Sequence, residues 1–426
     1  MKQQFIKIFL LLILIITIFV PLSLADTNSN PLNVNCESAI LIDNKTGKIL
    51  YGKNENEKKY PASTTKILTA IIAIENCNLD DKVTVSYNAI STVPSGYSVA
   101  ALQVGEELTV EQLLQVLLIH SANDAANVLA EHIGGTVESF AAIMNTKLEE
   151  IGCKNTHFTN PSGKHDDNHY TTAYDLALIM QYCMKNSTFR SIAGSKSCII
   201  PQTNKYEQRV FTNTNELLTV DTRNVASNYY YQYAIAGKTG YTSQAKNCLV
   251  SCANKDNFEL ICVVLGAKQD YTGLSYRFTE TKKIFEYGYN TYTIKKIREK
   301  GAIAKQIEIK NATKDTKDLD LLISDDITAI VNQSENLDSI QPNITINDNL
   351  IAPIAESDVV GTISYYIDDV EYKANLTASH TVNKSNSTII ILQIVLLIFV
   401  IFVLYKMLTS KNKKRKKKKS KYIYNK

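Results

Sequence analysis

The chain has 426 residues, 45% of them hydrophobic and 21% charged, and no tryptophan. This is globular composition with room for two or three domains, and it excludes collagen-like and coiled-coil chains. The net charge of +4 comes from the ends: Lys406–Lys426 carries eleven bases and no acid, and Lys2 and Lys7 precede the first acid, so the body between them is acidic and a nucleic-acid footprint on it is excluded.

Taken in chain order, residues 1–25 read as a signal peptide. Lys2 and Lys7 form the charged start, Ile8 to Val20 is an apolar run broken only by Thr17, and Ser23-Leu24-Ala25 supplies small residues for cleavage. An uncleaved anchor helix is the alternative, and both routes export the body. Residues 26–292 form the first domain. In it, Ala39-Ile40-Leu41-Ile42 and Lys48-Ile49-Leu50-Tyr51 flank a turn-rich Asn44-Lys45-Thr46-Gly47, which predicts a hairpin. From Ser63 onward, Ile67, Leu68, Ile71, Ile72 and Ile74 recur at helical spacing. Thr109-Val110-Glu111-Gln112 is a capping box that opens a helix ending near His120-Ser121. Further helices are predicted from about Asn123 to Ile133, stopped by Gly134-Gly135, from about Val137 to Ile151, and from after Thr172 to about Cys183. Leu249 to Ala253 and Phe258 to Leu265 return to strand. Both ends of this domain should therefore close one sheet with the helices packed on it.

Residues 293–378 alternate short apolar and polar runs, such as Ile307-Glu308-Ile309 and Leu321-Leu322-Ile323, and predict a small all-β domain. Residues 379–387, rich in Asn, Ser and Thr, read as a stalk. Residues 388–408 approach the ~20 apolar residues that cross a bilayer. The basic tail 409–426 is expected to stay cytoplasmic against anionic lipid. The expected location is thus the cell membrane, with the body outside and the tail inside. Eight cysteines include no C-x-x-C pair. Cys248 and Cys252, four steps apart on one strand, lie ~13 Å apart, too far for a mutual disulfide. No pairing is assigned, and most are read as small buried hydrophobes.

Three short motifs carry chemistry. Ser63-Thr64-Thr65-Lys66 is S-x-x-K, and on a helix its ends share a face, so the Lys66 amine can meet the Ser63 hydroxyl. A serine is a weak nucleophile without a base, and a lysine serves as one only when its pKa is lowered. Ser121-Ala122-Asn123 lies between two predicted helices, where Ser121 can relay a proton and Asn123 can hold a substrate amide. Read singly, both are better explained as helix caps. Lys238-Thr239-Gly240 precedes the returning strands. Lys238 and Thr239 there can receive a carboxylate, Gly240 permits close backbone approach, and the Tyr241 N–H can pair with that of Ser63 as an oxyanion hole. Read singly, this is a solvated turn.

Together, S-x-x-K, then S-x-N 58 residues on, then K-T-G a further 117 on, are the signature order of serine β-lactamases and penicillin-binding proteins. Tyr60-Pro61-Ala62-Ser63-Thr64-Thr65-Lys66-Ile67-Leu68-Thr69-Ala70 resembles the nucleophile segment of the low-molecular-mass D-alanyl-D-alanine carboxypeptidases. So do Asn160-Pro161-Ser162-Gly163, His165-Asp166, Asn168-His169-Tyr170-Thr171-Thr172-Ala173, and Thr239-Gly240-Tyr241-Thr242 with Ala245. The resemblance covers residues 36–292 well and the β domain more loosely.

It implies an α/β (α+β) β-lactamase/transpeptidase-like catalytic domain, an antiparallel sheet with a helical block. A small all-β C-terminal domain and a C-terminal transmembrane helix follow. It implies acylation of Ser63, Lys66 as base, Ser121 and Asn123 lining the cleft, and Lys238 and Thr239 on the terminal carboxylate. It also implies a peptidoglycan peptide as substrate, β-lactam antibiotics as covalent inhibitors, and no cofactor. The reaction expected is loss of the terminal D-alanine, then hydrolysis of the acyl-enzyme. Three features depart from the family: a true membrane span in place of an amphipathic anchor, Tyr241 where many members have His, and Thr214 where some have Arg. A β-lactamase shares these motifs but deacylates penicillin fast. A DD-endopeptidase or transpeptidase differs in substrate position or acceptor, and a non-catalytic wall-binding protein would not label with penicillin. The segment His165-Asp166-Asp167-Asn168-His169 lacks a clear third ligand, so no metal is expected.

Overall fold

A computed structural model describes residues 32–220, 229–269, 275–385 and 387–423, without side chains at 387–390 and 414–423. The expected signal peptide 1–25 lies outside the described residues. The chain divides into two units, Met1–Tyr289 and Asn290–Lys426.

In the first unit, β1 (Ser38–Asp43) and β2 (Ile49–Lys53) form the expected N-terminal hairpin. Its turn is tied by Asp43, whose Oδ2 accepts from the Thr46 N–H at 2.6 Å and the Thr46 hydroxyl at 2.7 Å. Short hairpins follow, β3 (Lys82–Thr84) with β4 (Glu107–Thr109) and β5 (Ser197–Ile200) with β6 (Arg209–Thr212). The main sheet is completed by β7 (Ala234–Thr242), β8 (Lys246–Lys255) and β9 (Phe258–Ala267). Its order is β2-β1-β9-β8-β7, with antiparallel pairing throughout. Both ends of the domain thus share one sheet, as the sequence predicts. Asp256 and Asn257 turn β8 into β9 with φ of +53° and +66°, the conformation a two-residue hairpin loop requires.

The helical block is α1 (Lys66–Asn76), α2 (Tyr87–Ser91), α3 (Val110–Ile119), α4 (Asn123–Gly134), α5 (Val137–Ile151), α6 (Ala173–Cys183) and α7 (Ser187–Ala193). The capping box at Thr109 and Gln112 has both of its hydrogen bonds. Ile67, Ile71, Leu113, Leu117 and Leu129 pack in one core with Ile40, Ile42, Val250, Ile261 and Val263 of the sheet.

The sequence reading omits α2, α7 and the two short hairpins, and it differs at two further places that bear on the site. Ser63 precedes the α-helix, in a 3-10 turn spanning Ala62–Thr65, because Pro61 and an Ala62 at φ +48° tighten the chain there. A helix over Tyr276–Thr291, α8, was not predicted. Its buried face is Phe278, Thr281, Ile284, Phe285 and Gly288, so helical spacing is present but carried partly by Thr and Gly. Gly288 lets α8 approach the sheet, since a Cβ there would sit 2.6 Å from Leu41 Cδ2. All eight cysteines are free thiols, seven of them buried.

The second unit pairs β10 (Tyr292–Arg298) with β13 (Ile327–Asn332). A five-stranded sheet runs in the order β11 (Ile303–Glu308), β12 (Asp318–Ile323), β16 (Val370–Ala378), β15 (Val359–Ile367), β14 (Asn343–Ile346). Leu319, Leu321, Ile363, Tyr365 and Leu376 form its core, joined by Val382. The last helix, α9, runs over Ser387–Ile423, and its stretch Ile391–Lys413 is long and apolar enough to cross a membrane.

Candidate active site

The nucleophile turn is built by its own hydroxyls. Thr64 Oγ1 donates to the Pro61 carbonyl at 2.8 Å, and Thr65 Oγ1 donates to the Ala62 carbonyl at 2.9 Å. Ser63 stays half-exposed while its neighbours are buried. Lys66, in the first turn of α1, is fully buried. Its Nζ lies 2.9 Å from Ser63 Oγ, 3.0 Å from Asn123 Oδ1 and 2.7 Å from the Ser162 carbonyl oxygen.

Burial pulls the Lys66 ammonium down to about 7, and Asp124 opposes the shift only in part. All three neighbours are oxygens, so a charged Lys66 donates to each of them, and the neutral amine can hold the same site once a proton leaves. A neutral amine has two N–H donors, which suit the carbonyl oxygens of Asn123 and Ser162. Its lone pair then faces the Ser63 hydroxyl and can take that proton.

Asn123 opens α4. Its backbone N–H and its Nδ2 both donate to the Ser98 carbonyl, at 2.9 and 2.8 Å, which points Oδ1 at Lys66. Asp124 clamps the same 98–102 segment, accepting from the Ala100 and Leu102 N–H groups at 3.0 and 3.1 Å. Ser121 lies in the break between α3 and α4 at φ +66°, a left-handed conformation unusual for serine. It is 7% exposed, and its hydroxyl makes no hydrogen bond among the described residues.

Lys238, Thr239, Gly240 and Tyr241 lie on β7, the edge strand, and not in a turn. Gly240 brings this strand against the nucleophile turn: a Cβ there would sit 2.9 Å from Pro61 O and 3.1 Å from Ser63 N. Lys238 is buried and donates to the Thr239 carbonyl at 2.8 Å. Burial first, then the positive charges of Lys66 and Arg277, hold its ammonium well below the usual lysine range. Thr239 Oγ1 is 2.7 Å from Thr214 Oγ1, so Thr214 stands beside the K-T-G strand. The Tyr241 side chain is 64% exposed.

Sequence reasoning did not single out Ser98, the Ser162 carbonyl or Arg277. Arg277, from α8, donates to the Gly240 carbonyl at 3.4 Å, and burial lowers its guanidinium. Ser98 and Ser162 contribute backbone carbonyls, which residue identity does not advertise. A cleft of about 470 Å³ opens beside Asn123 and Ser162, lined also by Tyr97, Glu131, Asn160 and Lys164.

Known proteins resemble this chain in sequence and fold. The sequence profile described as D-alanyl-D-alanine carboxypeptidase matches residues 25–269, and that described as penicillin-binding protein 5, C-terminal domain, matches residues 292–384. The chain is 32% identical over 332 residues to the D-alanyl-D-alanine carboxypeptidase DacF of Bacillus subtilis, covering 77% of this chain and 80% of that one. The structure is similar to penicillin-binding protein 5 of Haemophilus influenzae at TM-score 0.64 and 27% identity, covering 83% of this chain and 99% of that one. It is also similar to a Streptomyces DD-transpeptidase variant at TM-score 0.55 and 33% identity, covering 61% and 99%.

Proposed function

This chain belongs to the D-alanyl-D-alanine carboxypeptidase family of serine hydrolases, and from that premise we propose that Ser63 is the residue acylated, with Lys66 as its base. The observation that carries this is the buried Lys66 amine, 2.9 Å from the Ser63 hydroxyl, with burial pulling its pKa down to about 7.

The substrate is a peptidoglycan stem peptide ending in D-Ala-D-Ala. Its terminal carboxylate enters beside Lys238 and Thr239, and the incoming negative charge restores the Lys238 proton that burial disfavours. Asn123 holds the amide on the acyl side. Ser63 Oγ attacks the carbonyl of the penultimate residue as its proton passes to Lys66. The resulting oxyanion is held by the N–H groups of Ser63 and Tyr241, with Gly240 permitting the approach. The C–N bond then breaks, and the proton returns through the Ser121 hydroxyl to the departing D-alanine amine. Water, deprotonated by Lys66, hydrolyses the ester. A β-lactam follows the first half of this path, but its leaving nitrogen stays tethered to the acyl group, so the adduct persists.

The test is to incubate the protein with a pentapeptide ending in D-Ala-D-Ala, measure free D-alanine, and map a penicillin adduct by mass spectrometry. D-alanine release and a long-lived adduct on the Ser63 peptide are expected. An adduct on another residue, or one hydrolysed within seconds as in a β-lactamase, would sink this reading.

We further propose that the body faces outward, with helix Ile391–Lys413 in the bilayer and the basic tail on the cytoplasmic side. A chain of residues 26–385, lacking both apolar ends, should stay out of the membrane fraction and still label with penicillin, whereas residues 26–426 should pellet with membranes. A truncated protein that continues to pellet with membranes overturns the anchoring role.

A further inference from the structure

His169 lies in the 165–169 segment, near the active site, but no step above uses it. Its imidazole is 2% exposed and stacks on Phe158, with ring centroids 4.7 Å apart and planes 8° from parallel. Nδ1 accepts the Thr159 backbone N–H at 3.0 Å, so that nitrogen carries no proton. The other nitrogen must then carry the proton of the neutral ring, and Nε2 sits 2.8 Å from Thr65 Oγ1. Burial supports this neutral state, holding the ring's pKa down to about 3.

The bonds form a directed chain. Thr159 N–H donates to His169 Nδ1, His169 Nε2–H donates to Thr65 Oγ1, and Thr65 Oγ1 donates to the Ala62 carbonyl at 2.9 Å. Its two ends matter differently. Ala62 is the residue before the nucleophile and sits at φ +48°, a strained conformation for alanine that needs outside support. Thr159 leads into the 160–164 loop, where Asn160 Oδ1 accepts the N–H groups of Ser162, Gly163 and Lys164 at 3.2, 2.8 and 3.0 Å. That loop presents the Ser162 carbonyl to Lys66. One imidazole therefore spans the turn that carries Ser63 and the loop that holds Lys66.

We propose that His169 is a positioning residue of this enzyme: through Thr65 it fixes the strained Ala62–Ser63 turn against the 159–164 loop, and so sets the distance and alignment between Ser63 and Lys66. This rests on the reading of Ser63 as nucleophile and Lys66 as base. Small misplacements of such a pair reduce rate steeply, by up to about 100-fold for ~1 Å.

The full chain in detergent is labelled with a fluorescent penicillin, and the acylation rate is expressed per site that finally labels. Thr65→Val keeps shape but removes the relay hydroxyl, and should slow acylation about 10–100-fold while the final stoichiometry stays that of wild type. His169→Ala should slow it to a similar degree. The two changes together should slow it no further, because each breaks the same chain. Thr65→Ser, which keeps the hydroxyl, should restore the rate to within about threefold. The pH midpoint set by Lys66 should stay in place in all four proteins.

A merely structural role predicts something else: fewer labelled sites and a lower melting temperature, with an unchanged rate per site. That result, or single-variant effects that multiply in the double variant, overturns the proposal. An unlabelled wild type, or a label outside Ser63, instead overturns the underlying assignment of the nucleophile. Thr65→Val keeps the test open if His169→Ala does not fold.

Discussion

Lys66→Arg should reduce acylation by penicillin and release of D-alanine by about 1,000-fold or more, while Ser63 remains in place. Loss of a positioned base removes on the order of 10²–10⁴ in rate. Arginine cannot substitute, because it does not lose its proton in a protein. Its planar fork also cannot reproduce the arrangement at Lys66 Nζ, with Asn123 Oδ1 and the Ser162 carbonyl as acceptors and Ser63 Oγ as partner. In the wild type the sign of the pH dependence follows from the same nitrogen. Acylation needs neutral Lys66, so the second-order rate should fall tenfold per unit below pH about 7 and level off above it. The stability term has a matching sign. The unfolded lysine, near 10.5, holds its proton through a window in which the folded one does not, so this group's contribution to stability rises with pH between about 7 and 10.5. Stopped-flow acylation across pH 5–9 checks the kinetic part; a rate flat through neutrality overturns Lys66 as the base.

Gly163→Ala should be the most damaging small substitution in the catalytic unit. Gly163 has φ +80°, where a side chain costs about 1–2 kcal/mol. A Cβ at this position would also overlap the Ala62 carbonyl oxygen and press within 2.9 Å of Thr65 Oγ1. These are backbone and a buried hydroxyl, not the tip of a flexible side chain, so relief means moving the nucleophile turn or the loop that holds Lys66. Overpacking adds about 1–3 kcal/mol, which gives roughly 2–5 kcal/mol in all. The protein that remains folded should acylate about 100-fold more slowly. Thermal unfolding and penicillin labelling of the purified variant measure both effects. A variant with wild-type melting temperature and labelling rate would show that the turn and the loop are not in tight register. Gly152 offers a control, since it has φ +96° but open space around a Cβ, so Gly152→Ala carries only the conformational term.

The juxtaposition of Ser63 and Lys66 is legible in the sequence because its carriers are short and local. S-x-x-K places its two ends on one face, whereas Ser121 and Asn123, which read singly as caps, flank a helix start at Ala122 that has no side-chain cap bond. The helices with aliphatic stripes, such as Val110–Ile119, were equally plain. What the sequence hid has physical reasons. The Ser162 and Ser98 acceptors are backbone carbonyls, and any residue supplies one. Arg277 reaches Gly240 from a helix whose buried face includes Thr281 and Gly288, so a hydrophobic count passes over it. Lys238 reads as a turn residue only when K-T-G is taken alone; with the other motifs it reads as a sheet edge, and pairing with Val250 on β8 agrees with that.

The eight thiols bear on how the folded chain reacts. Cys183, Cys252 and Cys262 are fully enclosed, and burial pushes their pKa values well above the usual thiol range, as it pushes Cys36 up to about 12. A sulfur kept protonated and out of reach is a poor partner for oxidants or for disulfide exchange. The enclosed thiols should therefore resist alkylation in the folded protein, while the partly exposed Cys77 should react first.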